Sequence, residues 1–243
     1  MLGLGNSILG GAPSSWSPSD ISGLAVWLKN GVGVAIGKWE DSSGNDNWAG
    51  QDATDNQAAE SGGGLTFDGV DDYYDFNSKV TISTNHNFIV AVVLKINSYS
   101  SALSADPQNC ILSDGAAEFL ELESDKKIRI KTVDPGPAAT TSRLTQSSAD
   151  FAIDTKMVIT LSRNDGSTGT LNAYKNGVSI DDSWSNQENP RGIEFSNLGV
   201  KNDEDRYFDG SIYELLIYDF GAATHTAEEL TNLHTYLNTV HGL

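Results

Sequence analysis

The segment Asn87–Ile96 has the sequence NFIVAVVLKI, and its residues 88–94, FIVAVVL, are all apolar. The run is much shorter than the ~18 apolar residues of a membrane-spanning helix. It is also too short and too rich in β-branched residues to favour a helix. A continuous apolar run of this length indicates a strand that is covered on both faces. It therefore predicts a layered β protein.

Short apolar or alternating segments separated by turn residues continue on both sides of this run, as in chains of antiparallel strands. Residues 127–131 alternate basic side chains with isoleucines, which predicts a half-exposed strand. Asn176-Gly177 tolerates the positive φ angles of a two-residue hairpin turn, so a hairpin is expected there. The predicted strands cover residues 24–28, 64–67, 87–96, 118–122, 127–133, 156–162, 170–175, 193–198 and 211–218.

Only the C-terminal end has the pattern of a helix. Thr226 and Glu229 have the spacing of a capping box. Leucines and a valine then recur at helical spacing, at positions 230, 233, 237 and 240, before Gly242. One amphipathic helix over residues 226–241 is therefore predicted.

The composition restricts the classes of partner. The chain has 33 acidic residues against 15 basic ones and a formal charge of −18. Such a charge repels phosphate backbones and anionic lipid, so neither nucleic acid nor a membrane is expected as a partner. The single cysteine, Cys110, cannot form an intrachain disulfide and is expected to be buried in a strand.

Residues 1–19 combine glycine, serine and proline with a few leucines and an isoleucine. This composition does not fold alone but can become ordered against a partner surface. We interpret it as a flexible arm that could anchor the protein, with a frayed terminus as the alternative. The first basic residue is Lys29, so no secretory signal is expected.

Three motifs occur in order along the chain: WEDSSGN at 39–45, LTFDGVDDY at 65–73, and FDGSIYELLIYD at 208–219. With the opening segment 19–28, they make the chain similar to the laminin-G-like, concanavalin A-like jelly-roll superfamily, as found in phage virion proteins. The resemblance implies an all-β, two-sheet antiparallel sandwich over residues 20–243, with the C-terminal helix included. Asp68-Gly69, between Phe67 and Tyr73, is expected to turn a hairpin.

This superfold hosts lectins, glycan hydrolases, adhesion modules and virion proteins, so the fold does not fix the function. The hydrolases carry paired carboxylates on one strand face. Glu118, Glu121 and Glu123 come nearest to that motif, but no aspartate stands between glutamates at the required spacing. We therefore expect no enzymatic activity and no required cofactor.

Two kinds of binding site remain open. The resemblance implies a calcium ion at the rim of the sandwich, for which Asp71, Asp72, Asp203 and Asp205 offer oxygen ligands. The alternative is that these carboxylates are solvated loop residues.

For sugars, aromatic rings in polar turns offer stacking surfaces. Trp48 beside Asn47, and Trp184 near Asn186, meet this condition. The alternative is that both tryptophans cap the ends of the sandwich.

The leading hypothesis is a non-enzymatic virion structural or decoration protein, associated with a bacteriophage capsid or tail. It would be made in the host cytoplasm, and residues 1–19 would dock on other virion proteins. The alternative is a lectin-like module that binds host-surface glycans in adhesion or attachment at an extracellular surface. Exposed edge strands would also allow a homo-oligomer.

Overall fold

The computed structural model describes residues 16–99, 108–115, 118–123, 127–132, 140–145, 151–180, 184–201 and 206–243. Its strands are β1 Leu24–Leu28, β2 Val34–Ala35, β3 Lys38–Trp39, β4 Ala49–Gly50, β5 Ala59–Ser61, β6 Gly64–Asp68, β7 Tyr74–Ile82, β8 Asn87–Ile96, β9 Gln108–Asp114, β10 Glu118–Glu123, β11 Lys127–Thr132, β12 Thr140–Thr145, β13 Lys156–Arg163, β14 Leu171–Lys175, β15 Val178–Ser179, β16 Trp184–Ser185, β17 Ile193–Leu198, β18 Val200–Lys201, β19 Arg206–Tyr207 and β20 Asp209–Gly221. Two short 3-10 helices, Pro18–Asp20 and Thr54–Asn56, and the helix α1, Ala227–His241, complete the description.

The strands form two large antiparallel sheets. Sheet A has the order β15-β14-β13-β8-β20-β6-β5, with β1 also paired to β20. Sheet B has the order β16-β12-β11-β10-β9-β17-β7-β4-β3-β2. The small β18–β19 pair packs against β9. The predicted two-sheet all-β sandwich with one C-terminal helix is therefore confirmed.

Strand β8 is covered on both faces, as its apolar sequence predicts. It pairs with β13 on one side and with β20 on the other. Its even-numbered apolar residues belong to the core between the sheets, and its odd-numbered ones to a second apolar cluster that includes α1. The first set is Phe88, Val90, Val92, Leu94 and Ile96, and the second is Ile89, Ala91 and Val93.

Helix α1 begins with the predicted capping box, in which Thr226 and Glu229 bond each other reciprocally. It ends at Gly242, which has φ 69°, a left-handed conformation that glycine adopts without strain. The leucines at 230, 233 and 237 are buried in the cluster on the outer side of sheet A. Val240, which follows the same spacing, is largely exposed. The apolar stripe therefore stops one turn before the helix ends.

A buried carboxyl group also ties α1 to sheet A. Glu214 in β20 is fully buried, and its Oε1 accepts hydrogen bonds from Trp27 Nε1 at 2.7 Å and from the Tyr236 hydroxyl at 3.2 Å. Its Oε2 lies 2.7 Å from Nε2 of His241. One side chain in the sheet thus holds strand β1 and two positions of the helix.

Local turn predictions have different outcomes. The Asn176-Gly177 hairpin is confirmed, because it joins β14 to β15 with φ angles of 51° and 82°. The Asp68-Gly69 hairpin is wrong, because β6 lies in sheet A and β7 in sheet B. The carboxylate of Asp68 accepts the N–H groups of Val70 and Asp71 and supports a turn that crosses between the layers. Cys110 is buried in β9, as predicted.

Residues 1–15 of the predicted arm lie outside the described residues. Residues 16–19 contact the sandwich and its helix. The ring of Trp16 lies 6.0 Å from that of Tyr236, and the carbonyl of Pro18 accepts a hydrogen bond from the Tyr218 hydroxyl at 3.1 Å. Among the described residues, no helix is both long and apolar enough to cross a lipid bilayer.

Candidate functional site

Three loops meet at one rim of sheet A. They are residues 83–86 before β8, residues 164–170 after β13, and residues 222–226 after β20. Strands β13, β8 and β20 are neighbours, and Arg163, Phe88 and Asp219 lie opposite one another in register. The antiparallel order therefore brings all three loops to the same end of the sheet.

A glycine allows the first two loops to approach closely. A Cβ atom at Gly166 would lie 1.8 Å from the carbonyl oxygen of Asn85, which no side chain can tolerate. Buried Arg163 fixes the neighbouring backbone, since its guanidinium donates at 2.7 Å to the carbonyls of His86, Asn189 and Arg191. The backbone next to these loops is therefore held in place by hydrogen bonds from a buried side chain.

The loops enclose an open polar cleft of about 680 Å³. This volume falls within the usual range of ligand sites, about 300–1,000 Å³. The lining residues are predominantly amide, carboxylate and hydroxyl side chains: Asn85, Asn87, Asn164, Asp165, Gly166, Ser167, Ala222 and Thr224. We call this feature the rim cleft. Its chemistry is that of a hydrogen-bonding site.

Two carboxamide oxygens of the rim cleft have no partner among the described residues. The amide nitrogens of Asn87 and Asn164 donate to the carbonyls of Ala223 and His225 at 2.8 and 2.9 Å. Their Oδ1 atoms are buried without a hydrogen bond, although Asn87 is only 3% exposed. A buried acceptor without a donor costs about 1–3 kcal/mol. Both residues line the cleft, but these two oxygen atoms are themselves inaccessible to solvent.

Two titratable side chains near the rim cleft, Asp165 and His225, have pKa values that their surroundings shift. Hydrogen bonds from Ser167 and Thr168 keep the pKa of Asp165 below its ordinary value, so this exposed carboxylate is ionised. Burial lowers the pKa of His225 and favours its neutral form. Its Nε2 is a further buried atom without a partner among the described residues. Among the described residues that line it, the cleft thus offers a carboxylate but no strong cation.

Sequence reasoning did not find the rim cleft. Its residues come from three segments about 60 to 80 positions apart, and a local pattern cannot show that they meet. The available signals were the polar turns Asn85-His86-Asn87 and Asn164-Asp165-Gly166. Each is typical of any tight turn.

The predicted sugar-binding residues Trp48 and Asn47 lie near β4 in sheet B. The ring of Trp48 is half-buried against Gly50, and Lys38 Nζ lies 4.4 Å from its centre. The carboxamide of Asn47 donates to the carbonyl of Ala25 at 3.0 Å. Both residues therefore have structural contacts already.

Trp184 lies at the opposite edge of sheet B and is partly buried against the core. Asn186 has φ 53° and donates through Nδ2 to the carbonyl of Thr141 at 3.0 Å. Seven strand spacings of about 4.8 Å each separate the strand of Trp184 from β4. The structure therefore does not bring the two tryptophans into one site, and sugar contact by either pair stays a prediction.

The predicted calcium ligands are placed in part. Asp71 and Asp72 form a cluster with Asp68 in which ligand oxygens lie within 4.8 Å of one another. Burial, and the neighbouring carboxylates, raise the pKa of Asp72 to about 6. Asp203 and Asp205 lie outside the described residues. Such a carboxylate group suits a hard cation, and calcium binding here stays a prediction.

The three glutamates of β10 are all buried. Glu121 and Glu123 share one face of the strand and lie 3.1 Å from Arg206 Nη1 and Arg143 Nη2, respectively. Glu118 belongs to a second carboxylate cluster with Asp114 and Glu194. Lys79 lies 2.9 and 2.8 Å from the latter two. Arginines of the protein itself therefore pair with Glu121 and Glu123, and Lys79 pairs with the two acids that neighbour Glu118.

In sequence comparisons, neither a family model nor a curated protein matches the chain. Solved structures match its fold. Trypanosoma rangeli sialidase in complex with sialic acid has a TM-score of 0.59 and 14% identity over 90% of this chain and 34% of that chain. The botulinum neurotoxin serotype D ligand-binding domain in complex with N-acetylneuraminic acid has a TM-score of 0.58 and 14% identity, covering 88% of this chain and 51% of that one.

The binding domain of Paraclostridial Mosquitocidal Protein 1 has a TM-score of 0.57 and 15% identity over 91% of this chain and 54% of that chain. At these identities the likeness concerns the fold alone. The chain spans about a third of the sialidase and about half of the two toxin domains. The fold is therefore a jelly-roll-like β sandwich of the class that also occurs in these proteins.

Proposed function

We propose that the chain is a non-enzymatic carbohydrate-binding module and that its ligand occupies the rim cleft. The observation that carries the proposal is a cleft of about 680 Å³ lined predominantly by amide, carboxylate and hydroxyl side chains. The fold supports it, since a toxin binding domain of similar fold was solved with N-acetylneuraminic acid.

The chemistry of the cleft suits a ligand with several hydroxyl groups. A sugar hydroxyl donates one hydrogen bond and accepts others. The exposed carboxylate of Asp165 would accept from such hydroxyls, and the hydroxyls of Ser167 and Thr224 would donate to them or accept from them. Apolar ligands would gain little there, because each polar group that they covered would lose its solvent.

A binding role without turnover also agrees with the state of the buried glutamates. A glycan hydrolase needs one carboxyl group free to donate a proton to the leaving oxygen and a second one facing the sugar. Glu121 and Glu123 instead face arginines at 3.1 Å and are almost inaccessible. These contacts argue against a catalytic role for either residue.

The test is a glycan array, followed by calorimetry on the best ligand with Asn164→Ala. Removing this carboxamide should weaken binding by at least about tenfold, or about 1.4 kcal/mol. Asn238→Ala is a matched control, because Asn238 also donates to a backbone carbonyl and has an unpartnered Oδ1, but in α1. Its ligand affinity should equal that of the unaltered protein.

Trp48→Ala and Trp184→Ala locate the site independently. If sugar binding disappears in either tryptophan variant and persists in Asn164→Ala, the ligand lies on sheet B and the rim cleft is refuted. If no sugar on the array binds, the carbohydrate-binding proposal fails. Thermal melts of each variant confirm that the comparison is made between folded proteins.

The leading hypothesis from the sequence, decoration of a phage particle, stays a prediction. The fold and its structural relatives agree better with the alternative, a lectin-like module. The two roles are compatible, since a glycan-binding sandwich can serve on a particle as well as on its own.

A further inference from the structure

The charged groups at the rim cleft differ in whether a ligand can reach them. Among the described residues that line the cleft, only Asp165 is charged, and its side chain is exposed. In the three loops and at the strand ends that carry them, the groups that can hold a positive charge are Arg163, His86 and His225. The charge of the preferred ligand therefore depends on whether these three groups are available to it.

The guanidinium group of Arg163 is bound by the backbone. The side chain is fully buried, and it donates at 2.7 Å to the carbonyls of His86, Asn189 and Arg191. An anionic ligand would have to break these hydrogen bonds to reach it. Arg191, which supplies one of the carbonyls, is not among the residues that line the cleft. No arginine of the described chain is therefore presented to a ligand there.

The two histidines do not supply an available cation either. Burial lowers the pKa of His225, so its ring is neutral near pH 7. Nδ1 of His86 lies 2.9 Å from a carboxylate oxygen of Asp219. A proton that His86 takes up therefore faces the carboxylate of Asp219 rather than a ligand.

Helix α1 begins directly after the third loop, and a helix N-terminus can bind an anion. In this protein the position is occupied by the capping box. The backbone N–H of Glu229 donates to the Thr226 hydroxyl, and the Glu229 carboxylate accepts the Thr226 N–H at 2.7 Å. Glu228 adds a second acidic side chain to the first turn. The protein's own acidic residues therefore take the place of an external anion.

The carboxylate of Asp165 is exposed but held in orientation. The N–H groups of Ser167 and Thr168 donate to its Oδ1, and the Ser167 hydroxyl donates to the same atom at 2.7 Å. These hydrogen bonds keep the pKa of Asp165 below its ordinary value, so the group stays ionised in mildly acidic solution. Gly166 packs against the carbonyl of Asn85, which holds this loop and its negative charge at the cleft.

We propose that the rim cleft selects its saccharide by charge. It prefers a sugar that carries an ammonium group to the neutral N-acetylated form of that sugar, and it discriminates against sugars that carry a carboxylate. The inference rests on the proposed function and names the class of ligand. Two of the solved structures of similar fold contain sialic acids, which are acidic sugars. The ligand of the rim cleft should differ from them in charge.

The expected preference is moderate because the carboxylate is exposed. An exposed ion pair of good geometry changes an affinity by up to about fivefold. We therefore expect about threefold tighter binding of the ammonium form than of the neutral form, and about threefold weaker binding of an acidic sugar than of its neutral counterpart.

The experiment is a calorimetric titration of the full chain at about pH 5.5, where a primary amine is protonated and Asp165 is ionised. Two matched pairs of sugars are compared. The first pair is the β1,4-linked trisaccharide of glucosamine and the same trisaccharide of N-acetylglucosamine. The second pair is 3′-sialyllactose and lactose.

Asp165→Asn should make the affinities within each pair equal. Its carboxamide oxygen can still accept from Ser167 and Thr168, so the loop should keep its conformation. Asp55→Asn is the matched control, because Asp55 is also exposed and lies in the 3-10 helix before the edge strand β5. It removes the same charge from the protein and should leave both preferences unchanged.

If Asp165→Asn does not fold, backbone resonances of the unaltered protein replace it. The N–H groups of Ser167 and Thr168 donate to Asp165, so their resonances should shift more with the glucosamine trisaccharide than with its N-acetylated form. Equal shifts would overturn the role of Asp165.

The outcomes separate this inference from the proposed function. Equal affinity for the two trisaccharides, or tighter binding of 3′-sialyllactose than of lactose, overturns the charge preference while carbohydrate binding stands. A preference that persists in Asp165→Asn, or that Asp55→Asn reduces equally, overturns the role of Asp165. If none of the four sugars binds, the proposed function fails and this inference fails with it.

Discussion

Replacing Glu214 with alanine removes the acceptor that joins strand β1, strand β20 and helix α1. The carboxyl group is fully buried and receives hydrogen bonds from Trp27 and Tyr236, while His241 lies 2.7 Å away. After the substitution, the indole N–H, the phenol and the imidazole lose their common partner in a space that water does not reach. The helix should then be held mainly by its leucines.

The expected loss of unfolding free energy is about 3–5 kcal/mol, because several buried polar groups lose their common partner and each one left unsatisfied costs about 1–3 kcal/mol. Each lost hydrogen bond contributes about 0.5–1.5 kcal/mol, and each group left unsatisfied adds its desolvation cost. Because whole domains have stabilities of only about 5–15 kcal/mol, the variant should be marginally folded near room temperature.

Urea unfolding followed by tryptophan fluorescence measures this effect, since Trp27 contacts Glu214 directly. Glu40→Ala is the control, because the ion pair of Glu40 with Lys38 is exposed and should contribute about 0–1 kcal/mol. If Glu214→Ala loses no more unfolding free energy than Glu40→Ala, the contacts of Glu214 do not hold helix α1 on sheet A, and the reasoning is refuted.

Three further predictions concern the acidic loop and the N-terminus. Because burial raises the pKa of Asp72 to about 6 from about 3.9 in the unfolded chain, its contribution to stability is present below about pH 4 and is lost as the pH rises through 6. The carboxamide oxygen of Asp72→Asn can still accept the Asp68 N–H. The variant should therefore be about 1 kcal/mol more stable than the unaltered protein at pH 7 and no more stable at pH 4. Equal unfolding midpoints of variant and unaltered protein at both pH values would contradict this. If Asp72 and Asp71 bind calcium, adding the ion should raise the melting temperature and EDTA should reverse the rise, whereas an unchanged midpoint removes the site. Deletion of residues 1–15, which leaves the packed Trp16 in place, should abolish co-sedimentation with virus particles if the arm is an anchor, and undiminished attachment would show that it is not.

The local sequence pattern was sufficient to predict a strand or a helix where the residues of that element alone show which of its faces are buried. The run 88–94 is apolar at every position because β8 lies between a second sheet and a helix, and the structure confirms that. The capping box at Thr226 and the leucines after it predict α1 nearly to the residue. The strand at 127–132 also follows its alternation. In these segments the solvent-facing and core-facing positions differ in polarity, so the period is visible in the sequence.

Strand β7 shows where that signal fails. Tyr74, Phe76, Val80 and Ile82 are buried, but Ser78, which continues the same alternation, is exposed. The opposite strand β17 shifts its register near this point. The polar residue at position 78 interrupts the apolar alternation, so the sequence analysis did not predict this strand.

The sequence by itself determined the secondary-structure elements, namely extended segments, one hairpin and one helix, and the positions that must be buried. Only the tertiary structure decided which segments become neighbours. The crossing from sheet A to sheet B after Asp68, the meeting of Asn87 with Asn164, and the contact of Arg129 with Glu121 all join distant parts of the chain. The physical reason is that periodicity reports whether a side chain is buried, whereas its partners are fixed by the packing of whole layers.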